Sequence, residues 1–119
     1  MAPVAQRLFR VTKDMRLRRR PEFVSVQSSG RKVHGKLFVA LVAQSSTSTP
    51  VGRVGLTVTK RIGNAVTRNR IKRRAREWLR RNGWVPAGRD VVLVAKDGAA
   101  AATSVELGAD LARIVSRVS

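Results

Sequence analysis

Residues 53–81 read RVGLTVTKRIGNAVTRNRIKRRAREWLRR, and two periodicities follow one another within them. In Arg53-Val54-Gly55-Leu56-Thr57-Val58-Thr59 the apolar Val54, Leu56 and Val58 alternate with small or hydroxyl residues, as a strand with one core face requires. Lys60 to Gly63 link this strand to a long helix. Asn64 is a good N-cap, and residues 65 to about 82 are rich in Arg, Ala and other helix formers. At roughly 100° per residue, Thr67, Ile71, Ala75, Trp78 and Leu79 share a face that should pack on a sheet. Asn69, Lys72, Arg73, Arg76 and Arg80 form one flank of that face, Arg70, Arg74 and Arg81 the other, and Arg68 borders the apolar stripe.

The charge on this helix is one-signed. Between Lys60 and Arg81 there are ten basic residues and a single acid, Glu77. A solvated surface helix normally pairs Glu with Lys or Arg four residues on. Here Lys72/Arg76, Arg70/Arg74 and Arg76/Arg80 set like charges at that spacing, which costs stability unless an external anion offsets it. A bZIP basic region would need a heptad zipper, and none follows. A helix-turn-helix would need a second helix close by, whereas a strand comes next. RNA is therefore the favoured partner.

Outward from this segment, Leu37 to Ala43 is a continuous apolar run suited to a strand covered on both faces. The intervening QSSTSTPVG (44–52) reads as a loop, so the strands at 37–43 and 53–59 are expected to pair antiparallel. Pro21 to about Gln27 reads as a short helix with Phe23 and Val26 three apart, and Gly30 is a stop signal beyond it. After the basic helix, Gly83 is the expected stop and Pro86-Ala87-Gly88 a turn, followed by a buried strand at Asp90–Lys96. Thr103 and Glu106 form a capping box ahead of Leu107, Leu111, Ile114, Val115 and Val118 at helical spacing. The order helix, strands, basic helix, strand, helix defines an α/β (α+β) two-layer domain, a sheet packed on one face by helices. Residues 1–15 read as a flexible basic arm and 16–119 as a single domain.

Composition agrees. The 119 residues carry 25 Lys+Arg against 7 Asp+Glu, a net charge of +18, and 19 of the basic residues are Arg. Arg grips phosphate bidentately and stacks on bases, which suits structured nucleic acid. With 43% hydrophobic residues a real core is available. No cysteine and one histidine, His34, exclude a disulfide scaffold and a Cys nucleophile and leave no metal cluster or general acid–base pair in view. Apolar runs are too short for a membrane helix, and no signal peptide is visible, so a cytoplasmic polyanion binder without catalytic residues is expected. Phe38 and Trp78 read as core, Arg18-Arg19-Arg20 as either a solvated run or an RNA contact, and Trp84 as undecided. Asp90, Asp97 and Asp110 have no evident mutual relation.

The string from Lys60 to Glu77, KRIGNAVTRNRIKRRARE, closely resembles the signature of the bacterial ribonuclease P protein subunit family, with Arg68-Asn69-Arg70 at its centre. Arg53–Thr59, Glu22-Phe23, Gly30, Phe38 and Asp90-Val91-Val92 also match, so the resemblance spans residues 16–118. It implies a sheet of about four strands with a strand–basic helix–strand crossover, left-handed where the usual rule gives right-handed. It implies a protein that assists a catalytic RNA in removing the 5′ leader from precursor tRNA endonucleolytically, leaving a mature 5′-phosphate. The catalytic centre and its Mg²⁺ ions are then expected in the RNA, and no obligate protein partner is implied. By position, Lys60, Arg61, Arg68, Arg70, Arg73 and Arg74 are the implied contacts to the ribonuclease P RNA. Phe23, Asn69, Lys72 and Arg76 are the implied cleft for the single-stranded leader, an aromatic to stack on a base with cations along the backbone. Gln27 and Leu41 stand where some members carry further cleft aromatics. A structural RNA binder of ribosomal type is the alternative; a membrane-surface protein, resting on charge alone, lacks the apolar moment such anchoring needs.

Overall fold

The computed structural model describes residues 16–17, 20–44, 52–82, 85 and 88–118. The expected arm at 1–15, Arg18 and Arg19, the loop 45–51, Gly83, Trp84, Pro86 and Ala87 lie outside them. In chain order the elements are α1 (Arg20–Ser29), β1 (Arg31–His34), β2 (Phe38–Gln44), β3 (Arg53–Thr57), α2 (Ala65–Asn82), β4 (Arg89–Ala95), a 3-10 turn (Asp97–Ala100) and α3 (Ser104–Ser116).

The four strands form one sheet in the order β1-β2-β4-β3. The expected antiparallel pairing of the 37–43 and 53–59 segments is therefore wrong. β4 lies between them, antiparallel to β2 from Phe38↔Ala95 to Gln44↔Arg89 and parallel to β3 from Arg53↔Asp90 to Thr57↔Val94. Two causes are visible. β4 carries an unbroken apolar run, Val91 to Ala95, with Val91, Val92 and Leu93 each at most 2% exposed, so it is suited to the centre of the sheet. Arg53 and Asp90 also clamp the start of β3 to the start of β4. Arg53 Nε and Nη2 donate to Asp90 Oδ1 and Oδ2 at 3.0 and 2.7 Å, and Nη1 donates to Glu22 Oε2 at 2.8 Å.

Helices cover both faces of the sheet, not one. α2 and α3 pack on the first face, where Phe38, Ala40, Val42, Leu56, Leu93, Ile71, Ala75, Leu79, Leu107, Leu111 and Ile114 form the main core. Because successive strand residues alternate sides, Leu41 and Val92 face the other way. There they meet Leu17 and Val26, with Phe23, Val39, Ala43 and Val94 packed around them. That second core seats α1. Gly30 follows α1 where backbone crowds in: a Cβ there would lie 2.5 Å from the Val26 carbonyl oxygen and 3.0 Å from that of Val42.

The expected capping box is present at α3. Thr103 accepts from the Glu106 N–H at 3.1 Å, and Glu106 accepts from the Thr103 N–H at 2.8 Å. Asp110, 1% exposed, ties the β1–β2 turn to α3. Its carboxylate accepts the N–H groups of Lys36, Leu37 and Phe38 at 2.7, 2.9 and 3.1 Å. Among the described residues no helix is long and apolar enough to cross a membrane.

Candidate nucleic-acid interface

The basic helix begins where its cap places it. Asn64 Oδ1 accepts the Thr67 N–H at 2.9 Å, and Arg68 Nε donates back to the Gly63 carbonyl at 3.1 Å. Arg68 is thus half-buried against the turn that carries Lys60 and Arg61, both exposed. Arg61 meets Asp97 at 3.0 Å, but both side chains are more than 70% exposed, so the pair is screened and contributes little.

On one side of α2, a recess of about 240 Å³ opens along the β3 edge of the sheet. Leu17, Phe23, Val54 and Leu56 give it an apolar wall, and Arg16, Lys72 and Arg76 give it cations. Residues 16 and 17 reach it by adding to β3: Arg16 bridges to Val54, and the Leu17 N–H donates to the Val54 carbonyl at 2.9 Å. The Phe23 ring lies directly over Gly55. A Cβ at Gly55 would fall 2.6 Å from Phe23 Cε2 and Cζ, so only glycine admits the ring at this depth. Arg53 holds Glu22, the residue before Phe23, and so fixes the approach of α1 to the recess. The Arg53 guanidinium is held above its ordinary pKa, first by its hydrogen bonds to Asp90, against the opposing effect of burial.

Arg76 shows the reverse. Burial lowers its pKa, and repulsion from Arg16 adds to this. Two guanidinium groups share a partly desolvated rim, and no carboxylate pairs with Arg76 among the described residues. An anion entering the recess would remove that repulsion.

Around α2 from the recess, Arg70 and Arg74 are half-buried and Arg73 is exposed. The helical wheel grouped Arg73 with Lys72 and Arg76, but its long side chain borders the groove between α2 and α3 together with Arg74. Arg80 and Arg81 are occupied within the helix. Glu77 accepts from Arg80 Nε at 2.9 Å and from Arg81 Nε at 3.3 Å, and its carboxyl is held below its ordinary pKa chiefly by the Arg80 hydrogen bond.

Of the cleft residues expected from sequence, Phe23, Lys72 and Arg76 are brought together. Asn69 is exposed on the same flank but is not part of the recess wall, and Gln27 is exposed on α1. Leu41 belongs to the second core, so it supports α1 and does not line the recess. His34 is exposed on β1, Phe38 is fully buried, and Trp78 packs against the main core while staying partly open. Arg16, Leu17, Arg53 and Gly55 were not expected at the site. Only Arg16 had a signal, its place beside the Arg18–Arg20 run.

Among the described residues no cluster of carboxylates is assembled for Mg²⁺. All six carboxylates among the described residues are engaged: Glu22 and Asp90 by Arg53, Glu77 by Arg80 and Arg81, Asp97 by Arg61, Glu106 by the capping box, and Asp110 by three backbone N–H groups. No group of three or more acidic or His side chains is placed to hold a metal ion among those residues.

An α+β domain with a one-signed basic helix between an aromatic-walled recess and a second charged groove defines a small RNA-binding protein. The Ribonuclease P family pattern matches residues 11–119. The chain is 41% identical over 112 residues to the ribonuclease P protein component of Desulfatibacillum aliphaticivorans, covering 93% of each. It is 40% identical over 104 residues to that of Citrifermentans bemidjiense, covering 87% of each. Among solved structures, the Staphylococcus aureus RNase P protein superposes with a TM-score of 0.79 at 25% identity, over 87% of this chain and 96% of that one. The Thermotoga maritima RNase P protein gives 0.78 at 28% identity, over 87% and 97%. The chain belongs to the ribonuclease P protein family, whose work is tRNA 5′-end processing, and its partner is an RNA subunit. The ribosomal alternative finds no support in these comparisons.

Proposed function

We propose that this chain is the non-catalytic half of its ribonucleoprotein and that α2 contacts two RNAs at once. The Arg70/Arg74 side, with Arg68, Arg73, Lys60 and Arg61, binds the RNA subunit. The recess of Phe23, Lys72 and Arg76, with Asn69 at its approach, takes the single-stranded 5′ leader of precursor tRNA. The observation that carries this reading is the meeting of Phe23 with Lys72, Arg76 and Arg16 in one recess. A base can stack on the ring while the cations follow the backbone phosphates.

In this reading the chemistry that cuts the phosphodiester bond resides in the RNA, with Mg²⁺ held there. Among the described residues, five of the six carboxylates are held by buried, capping or helical partners, which supports that division. The protein residues bind, orient and neutralise. Lys72 and Arg76 donate to leader phosphates, Arg70 and Arg74 neutralise RNA-subunit phosphates, and the lowered repulsion raises the RNA's affinity for its metal ions indirectly. The protein would act in the cytoplasm. Precursor tRNA cleavage with RNA subunit alone, protein alone and both, at low-millimolar Mg²⁺, tests this. Cleavage only with both, giving a 5′-phosphate on the mature tRNA, is expected. Cleavage by rigorously purified protein alone would overturn the division of labour.

A further inference from the structure

The groove between α2 and α3 is larger than the leader recess, about 550 Å³, within the roughly 300–1,000 Å³ of ordinary ligand sites. Its walls include Arg73, Arg74, Arg81, Glu77, Trp78 and Leu107. Three guanidinium groups thus face a single carboxylate, and that carboxylate is already taken by Arg80 and Arg81. Arg73 and Arg74 have no ion-pair partner among the described residues.

Trp78 is the unusual member. The inward face of α2 is filled by Ile71, Ala75 and Leu79, each at most 1% exposed, and Trp78 lies beside that set, partly open to the groove. Its pyrrole edge rests on the backbone of α3 at Gly108. A Cβ there would lie 2.6 Å from Trp78 Nε1 and 2.8 Å from Cδ1. The missing side chain at 108 therefore admits the indole to the groove wall and fixes its edge. A fixed aromatic surface flanked by cations suits a nucleobase with its phosphate, because the ring provides stacking area and the guanidinium groups provide charge.

We propose that this groove binds one unpaired nucleotide of the RNA subunit, its base stacked on Trp78 and its phosphate held by Arg73 and Arg74. This rests on the two-RNA reading above, in which Arg73 and Arg74 already face the RNA subunit while the leader lies in the Phe23 recess. The groove adds a base-stacking contact to an interface otherwise made of charge.

The experiment uses the full chain labelled with 5-fluorotryptophan. It has two tryptophans, and the ¹⁹F resonance missing from Trp78→Phe belongs to residue 78. Adding the cognate RNA subunit is expected to shift or broaden that resonance, whereas a short single-stranded leader oligonucleotide leaves it in place. Trp78→Leu is expected to weaken assembly roughly 5- to 150-fold, with Trp78→Phe in between and with an unchanged salt slope. Arg74→Ala should flatten that slope. A resonance unmoved by an RNA subunit that assembles normally would overturn the proposal, and so would one moved by the leader oligonucleotide instead. If Trp78→Leu fails to fold, the ¹⁹F result and Trp78→Phe still decide. Failure of the unsubstituted protein to bind the RNA subunit would refute the two-RNA reading itself, a result distinct from a silent Trp78.

Discussion

Arg53 and Arg76 are both withdrawn from solvent, yet their surroundings are opposite. Arg53 faces Asp90 and Glu22 and is held more firmly protonated than a free guanidinium. Arg76 faces Arg16, and burial together with that like charge lowers its pKa. The first arginine completes its interactions inside the protein and sets the order of strands. The second has a cost built into its position that only an outside anion relieves. Paired charge here builds the frame, and unpaired charge is left at the recess proposed for the partner.

The contrast is broken most severely at Asp90. Asp90→Ala leaves Arg53 buried without its bidentate partner and should cost about 3–5 kcal/mol of stability, measured by denaturant unfolding. Arg76→Met should do the opposite kind of damage. Folding stability stays within about 0.5 kcal/mol or rises, while affinity for leader-bearing precursor falls by about 1.5–3 kcal/mol and affinity for mature tRNA is retained. Equilibrium binding of the assembled ribonucleoprotein to the two tRNAs measures this. Gly55→Ala probes the junction between frame and recess. Crowding Phe23 should cost about 1–3 kcal/mol of stability and weaken leader binding, with RNA-subunit assembly unchanged in a filter-binding titration.

The smallest expected effect lies at the α3 cap. Thr103→Ala should cost about 1 kcal/mol by thermal melting. Glu106 there has a pKa lowered by its hydrogen bond from the Thr103 backbone N–H, from an ordinary value of 4.5. A depressed carboxylate stabilises the fold above its unfolded pKa, so that contribution is full at neutral pH and is lost as pH falls below about 4.5. Thr103→Ala keeps the backbone N–H and removes only the smaller contribution of the hydroxyl, so this acid dependence should shrink in part and not vanish.

These elements were unequally legible in the sequence. α2 was readable because its cap, its apolar stripe and its stop-to-stop length are local properties of residues 64–82, and the α3 capping box is likewise local. The place of β4 between β2 and β3 was not, because the Arg53–Asp90 clamp joins residues 37 apart and neither carries a mark of the other. β1 was missed as a strand because only Val33 of its four residues is buried, which leaves no alternation to detect. At the site, helical spacing put Lys72 and Arg76 on one charged flank, and only the family resemblance marked them as cleft residues. Gly55 did not, since its role is to lack a side chain under a ring contributed by another helix.

The most direct test measures two affinities for two variants: RNA-subunit assembly, and leader-dependent substrate binding (precursor minus mature tRNA). Arg74→Ala is predicted to weaken only assembly, and Arg76→Met only the leader-dependent part. If each variant lowered both quantities equally, or if neither changed either, the assignment of two RNAs to two sides of one helix would be contradicted.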